Sequence, residues 1–179
     1  MWWSEARSQA AKAALIVGLA VASAALSGCG FKPVYGTAAS DVSDRLLADI
    51  AVNAPRDDIG ALMEREVLAG FSTLGTQPAD PRYLLQLNPR WLDQEVAIEQ
   101  DTEVTRRNIT VQTSFELYEV ASNERIFSGE AVSQASYNRV TSEYANIIAA
   151  RNATSRTVEA VAQDIRLKVA AFLAQRNAG

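Results

Sequence analysis

The stretch that most constrains the fold is 106–120, where two faces of different character alternate from Asn108 to Leu117. Ile109, Val111, Thr113, Phe115 and Leu117 fall on one face of an extended chain. Asn108, Thr110, Gln112, Ser114 and Glu116 fall on the other. A period of two over this length predicts a strand with one packed face and one polar face. Such a strand needs strand neighbours at both edges and a core on one side only.

The flanking segments supply those neighbours. The stretch 45–54 reads as a strand with Leu46, Ala48, Ile50 and Val52 toward the core and Leu47, Asp49, Ala51 and Asn53 away from it, ended by Asn53-Ala54-Pro55. The stretch 57–74 reads as an amphipathic helix, because Ile59, Leu62, Met63, Val67, Phe71 and Leu74 recur three or four apart. Asp57 and Asp58 suit its positive end, Gly75 suits its stop, and Gly70 on the apolar face allows close approach to a sheet. The stretch 83–98 reads as a long strand in which Pro89 marks an edge, a bulge or a bend. An acidic turn at 99–105 and a second turn at 121–124 bracket the alternating strand, and 125–137 completes a meander.

The stretch 141–175 has a helical pattern that Thr141 or Ser142 can cap. Tyr144, Ile147 and Ile148 open an apolar stripe that Val158, Val161, Ile165, Val169, Phe172 and Leu173 continue. Polar residues at 151–155 interrupt it, which leaves either one helix of about 50 Å or a break near Asn152. The order β-α-β-β-β-α defines an α+β domain over 45–179. Two helices packed on one face of a four-stranded mixed sheet are its simplest architecture.

Ahead of this domain lies a different kind of segment. Arg7 and Lys12 precede the apolar run 13–26, and Leu26-Ser27-Gly28-Cys29 follows it. A basic start, a short apolar middle and small residues at the exit make a secretory signal over 1–28. The apolar run falls short of the ~20 residues a spanning helix needs. The tetrapeptide 26–29 resembles the lipobox of bacterial lipoproteins, in which the cysteine thiol takes a diacylglyceryl group and the freed amine is acylated. Cys29 would then carry a covalent lipid, and 29–44, with Pro33 and Gly36, would be a lipidated tether. Gly30 replaces the aspartate that favours inner-membrane retention in enteric lipoproteins, so the outer membrane is the expected location.

Composition removes whole classes of function. The chain of 179 residues has no histidine and a single cysteine. This excludes histidine bases, histidine metal sites and, with Cys29 lipidated, disulfides and thiolate chemistry. No metal site and no cofactor beyond the lipid is expected. Of 17 basic and 21 acidic residues, Arg7, Lys12 and Glu5 lie in the signal, so the mature side chains carry a net charge of −5. That balance does not suit nucleic acid. Glu95, Glu99, Asp101 and Glu103 could supply a carboxylate pair for hydrolysis, but they fall in or beside a polar turn without an apolar pocket. The chain is therefore expected not to be an enzyme. Trp91 and Tyr137 fit a core or an interface better than a lipid-stacking pair.

The run Ser27-Gly28-Cys29-Gly30-Phe31-Lys32-Pro33-Val34-Tyr35-Gly36, followed by this element order, resembles the LptE family of lipopolysaccharide-assembly lipoproteins. The resemblance implies a plug and assembly partner inside the outer-membrane β-barrel that inserts lipopolysaccharide, usually called LptD. It also implies lipopolysaccharide as a ligand and no covalent chemistry. Family binding is attributed to basic residues. Arg151 falls near one such position, and the other falls at the acidic turn around Gln100, where Arg106 and Arg107 are the nearest basic pair. Guanidinium forks suit lipid A phosphates; the plainer reading is solvated charge or contact with the barrel. Two rival functions stay open, an auxiliary lipoprotein of an envelope lipid-transport system and a structural envelope lipoprotein.

Overall fold

The computed structural model describes residues 45–72, 74–98 and 105–177. The signal, Cys29, the tether and the turn around Gln100 lie outside them. The elements are β1 (Ile50–Asn53), α1 (Asp58–Phe71), β2 (Tyr83–Ile98), β3 (Thr105–Glu119), β4 (Glu124–Arg139) and α2 (Glu143–Arg176). The sheet order is β1-β2-β3-β4. β1 runs parallel to β2, and the other pairs are antiparallel. The fold is the expected α+β arrangement, with α1 against β1 and β2 and α2 against β3 and β4.

The alternation in β3 sets the core. Ile109, Val111, Thr113, Phe115 and Leu117 are all buried. Their neighbours continue the same face, Leu87 and Gly129 beside Phe115, Leu85 and Phe127 beside Leu117. The Phe115 ring covers the bare backbone of Gly129, where an added Cβ would lie 2.6 Å from its Cζ. Phe127 tilts against Phe115 and stacks on Phe172 of α2 at 4.6 Å. Burying each such ring contributes about 2–3 kcal/mol.

Among the described residues, two buried hydroxyls lack a partner, Ser72 Oγ and Thr113 Oγ1. Thr113 Oγ1 has no hydrogen bond in the core. Thr113→Val keeps the shape and removes the orphan hydroxyl, and should stabilise the domain by about 1 kcal/mol. Thermal unfolding should show this as a Tm rise of about 2–4 °C; a fall would mean the hydroxyl has a partner.

Several expected details are corrected. Residues 45–48 form a helical turn, and the first strand is limited to Ile50–Asn53. The turn inverts the expected phase, burying Leu47 and exposing Ala48. α1 ends earlier than expected, at Ser72 in an extended conformation, and Gly75 forms the turn beyond it with φ +59°. Asp57 is the N-cap, accepting from Gly60 N at 2.6 Å. Gly70 faces α2, where its Cβ would meet Arg166 Cδ at 3.5 Å, and gives no close approach to the sheet.

Pro89 sits at an edge. Tyr83 N donates to Asp49 O on the β1 side, and Val120 N donates to Arg82 O across β3. Alternation therefore turns the odd-numbered amides of β2 outward, and β1 pairs no further than Gln86. Pro89 thus occupies a position whose N–H would have no ladder partner. The strand's irregularity lies elsewhere, between Glu95 and Ala97.

α2 is continuous through Asn152, capped at Ser142. Its buried seam is Ala153, Thr157, Val161, Ile165, Val169 and Leu173, a strict spacing of four. On a helix of 3.6 residues per turn, each step of four rotates the seam by about 40°. The seam winds around α2 as the helix crosses the twisted sheet, and this displaces the expected start of the stripe. Tyr144, Ile147 and Ile148 are exposed, and the buried residue of that turn is Asn146. Its side-chain amide bonds both Val140 N (2.8 Å) and Val140 O (2.9 Å), fixing the β4–α2 turn. Thr154 and Thr157 donate to the carbonyls of Ala150 and Ala153, so the polar stretch continues the helix without orphan hydroxyls.

Candidate functional site

Because the core occupies only the odd-numbered face of β3, its other face has no described element over it. The rows across β2, β3 and β4 are Asn88–Ser114–Glu130, Arg90–Gln112–Val132, Leu92–Thr110–Gln134 and Gln94–Asn108–Ser136. Amides and hydroxyls dominate. Ser136 Oγ donates to Asn108 Oδ1 at 2.7 Å, and Gln112 donates to Glu130. A shallow groove runs over Gln86, Asn88, Ser114, Glu116, Ser128 and Glu130. Tyr118 donates to Glu116 at 2.7 Å, and Arg125 pairs with the same carboxylate. Those two bonds, Tyr118's first, hold the Glu116 pKa below its ordinary value. This surface offers neutral hydrogen-bond donors and acceptors over a broad area.

The helix-facing side changes character beyond Ile109. Arg107 Nε donates to Asp93 Oδ1 at 3.0 Å, and Tyr137 Oη donates to Asp93 Oδ2 at 3.2 Å. One carboxylate thus straps β2, β3 and β4 together. The bond to Asp93 raises the Arg107 pKa. Burial raises that of Tyr137, with the Asp93 charge adding to it. A raised phenol pKa contributes stability below about pH 10 that is lost as pH rises through the folded value. Asp93→Ala should cost about 1–2 kcal/mol by orphaning two half-buried donors. Hydrogen exchange should quicken at the Asp93 end of β2–β4 and stay slow around Phe115; equal exchange in both regions would exclude the strap.

The expected phosphate-binding arginines are divided by this geometry. Arg106 and Arg107 are neighbours in β3 and point to opposite faces. Arg106 is exposed on the open face, in the row of Ala97 and Asn138. Arg107 is held by Asp93 on the other side. Arg151 is exposed on α2. The three do not form one cluster. Leu26, Ser27, Gly28 and Cys29 fall outside the described residues, as do Glu99, Asp101 and Glu103. Sequence reading did not find the strap, although its sign is present: Asp93 and Arg107 carry charge at positions in phase with Leu87 and Ile109. Trp91 is half exposed on that side, and Tyr137 packs at the border of the core.

The architecture defines a class, a two-layer α+β domain with a polar sheet face that no described element covers. No family model matches the chain, and no curated protein sequence matches it. Solved structures do share the fold. A candidate lipoprotein of Caulobacter crescentus CB15 superposes with a TM-score of 0.62 at 18% identity, over 75% of this chain and 97% of that one. A minor lipoprotein of Acinetobacter baumannii gives 0.51 at 14%, over 68% and 91%. Lipoprotein B of Nitrosomonas europaea gives 0.52 at 15%, over 69% and 83%. At these identities the likeness is one of fold. Among the described residues, no helix is long and apolar enough to cross a membrane.

Proposed function

We propose that this chain is an outer-membrane lipoprotein, anchored through lipid on Cys29, that acts as plug and assembly partner of the β-barrel inserting lipopolysaccharide. The observation that carries the reading is the mostly neutral polar face of a long three-strand meander, which no described element covers. A water-filled barrel has a polar interior, and a face of amides and hydroxyls matches it. Two further observations support it. Leu26-Ser27-Gly28-Cys29 provides the lipobox, and solved structures named as lipoproteins share the domain's fold. Lipopolysaccharide would be met through basic side chains, with Arg106 on the sheet face and Arg151 on α2 as the exposed members; Arg107 would serve through its strap.

The test is purification of a tagged full chain from detergent-solubilised outer membranes. One large β-barrel in equal amount is the expected companion. An inner-membrane transporter in its place would assign the chain to an auxiliary lipid-transport role, and no companion would remove the plug reading.

A further inference from the structure

The first two turns of α2 are inside out. At about 100° per residue, Ile147, Ile148 and Arg151 fall within about 60° of Tyr144 around the helix. Asn146, Ala153 and Thr157, the buried residues of this half of the helix, fall about 140–180° from it. The amide is therefore inside and the apolar stripe looks away from the core. Tyr144 is 75% exposed, Ile147 45% and Ile148 37%. Val140, held at the helix start by the Asn146 amide, is 47% exposed. The same two bonds fix the phase of the first turn, so the stripe cannot rotate inward without breaking them.

Contiguous apolar side chains with a polar rim mark a contact surface, and size and charge say which kind. Four side chains, of which only Tyr144 is more than half exposed, fall well short of the ~800 Å² per partner that a stable protein interface buries. The charge is one-sided. From Tyr144 to Val158 the helix carries Arg151 and Arg156 and no carboxylate, although the whole chain has a net charge of −4. Glu143, just before the stripe, is paired with Arg139 at 3.5 Å. The next carboxylates of α2 are Glu159 and Asp164, the second paired with Lys168 at 2.8 Å. Arg151, within the stripe, meets no described carboxylate. An apolar face with cations and no acid is the composition of a helix that lies on a membrane surface.

We infer that this stripe rests on an anionic phospholipid surface, with Tyr144, Ile147 and Ile148 in the headgroup layer and Arg151 on the phosphates. The inference rests on the lipid anchor proposed above and not on the plug. The guanidinium reaches phosphate while its stem lies along the apolar layer. A few side chains hold a bilayer only weakly, so this contact acts as a second signal beside the lipid on Cys29. Because the stripe lies opposite the buried seam, the contact turns the open sheet face away from the lipid and leaves it free for a partner.

A depth measurement tests this. The single cysteine of the chain is the proposed lipid site, so Ile148→Cys and, as control on the open sheet face, Gln134→Cys each supply one free thiol for a bimane label. The purified lipidated full chains, folded by circular dichroism, are placed in phosphatidylethanolamine vesicles with or without phosphatidylglycerol, and doxyl-labelled lipid is the quencher. The expected result is quenching at 148 and none at 134. Tyr144→Cys, at the most exposed position of the stripe, repeats the measurement. Arg151→Gln beside the label at 148 should lower the ratio of quenched to unquenched protein about fivefold with phosphatidylglycerol present and leave it unchanged without. Lipopolysaccharide and phospholipid offer Arg151 the same phosphate chemistry, and vesicles holding phospholipid alone separate them. A palmitate-bearing chain unquenched at both 144 and 148 overturns the inference and leaves the anchor standing. A chain that takes up no palmitate overturns both. Quenching indifferent to phosphatidylglycerol and to Arg151→Gln overturns the anionic assignment. A wild-type dimer or a bound barrel that Ile147→Asp releases, with the label at 148 unquenched in vesicles, assigns the stripe to that protein and overturns the inference.

Discussion

Cys29→Ala will abolish lipid attachment to this protein while leaving its domain folded. The effect is large because the anchor is modular. In the proposed anchor, the thiol would carry a diacylglyceryl group and the amine a further acyl chain. Each buried methylene contributes about 0.8 kcal/mol, so several chains hold a protein that one chain would hold only marginally. No described helix replaces the anchor. Among the described residues the core begins at Leu47, well past Cys29 in the sequence. Palmitate labelling should vanish, protein not held by the barrel should move to the soluble periplasmic fraction, and Tm should stay unchanged. A variant that still takes up palmitate contradicts the anchor.

The second large effect is structural. Gly60→Ala places a Cβ 2.0 Å from Pro55 O and 3.0 Å from Asp57 Oδ1. Neither neighbour yields easily. Pro55 follows directly on β1, and Asp57 is the N-cap that accepts from Gly60 N. Relief requires the first turn of α1 to lift from the end of β1. A cost of about 3 kcal/mol is expected, or about 6–12 °C in Tm. Gly70→Ala is the control within the same helix. Its Cβ meets Arg166 Cδ at an ordinary 3.5 Å, and alanine is favoured over glycine in a helix interior by up to about 1 kcal/mol. The two substitutions should therefore move Tm in opposite directions. A harmless Gly60→Ala would show that the α1 entry can shift.

Legibility in the sequence followed the reach of the determining interaction. β3 was readable because each of its core residues faces the same way along one extended chain. α1 was readable from a stripe with helical period. At 45–48 the sequence is ambiguous because Leu46 and Leu47 are adjacent, and either can be the inward residue until the helical turn selects Leu47. In α2 the seam repeats every four residues, so its first turn could not be phased from Val158–Leu173. Tyr144, Ile147 and Ile148 therefore match the apolar stripe in the sequence without reaching the core.

The same rule governs the sites. A lipobox is a linear signal, so the resemblance at Leu26-Ser27-Gly28-Cys29 is drawn from sequence alone, on residues outside the described ones. The Asp93 strap joins residues 14 and 44 positions apart and exists only once strand register is fixed. Arg106 and Arg107 look like a pair in the sequence, and alternation in a strand separates them.

The most direct test of the central claim is depletion of the protein in its own cells, with newly made lipopolysaccharide and the level of the inserting barrel followed over time. The account predicts that surface delivery of lipopolysaccharide stops and that properly assembled barrel falls in step with the lipoprotein. Undiminished surface lipopolysaccharide and normal barrel in cells that have lost the protein would contradict it.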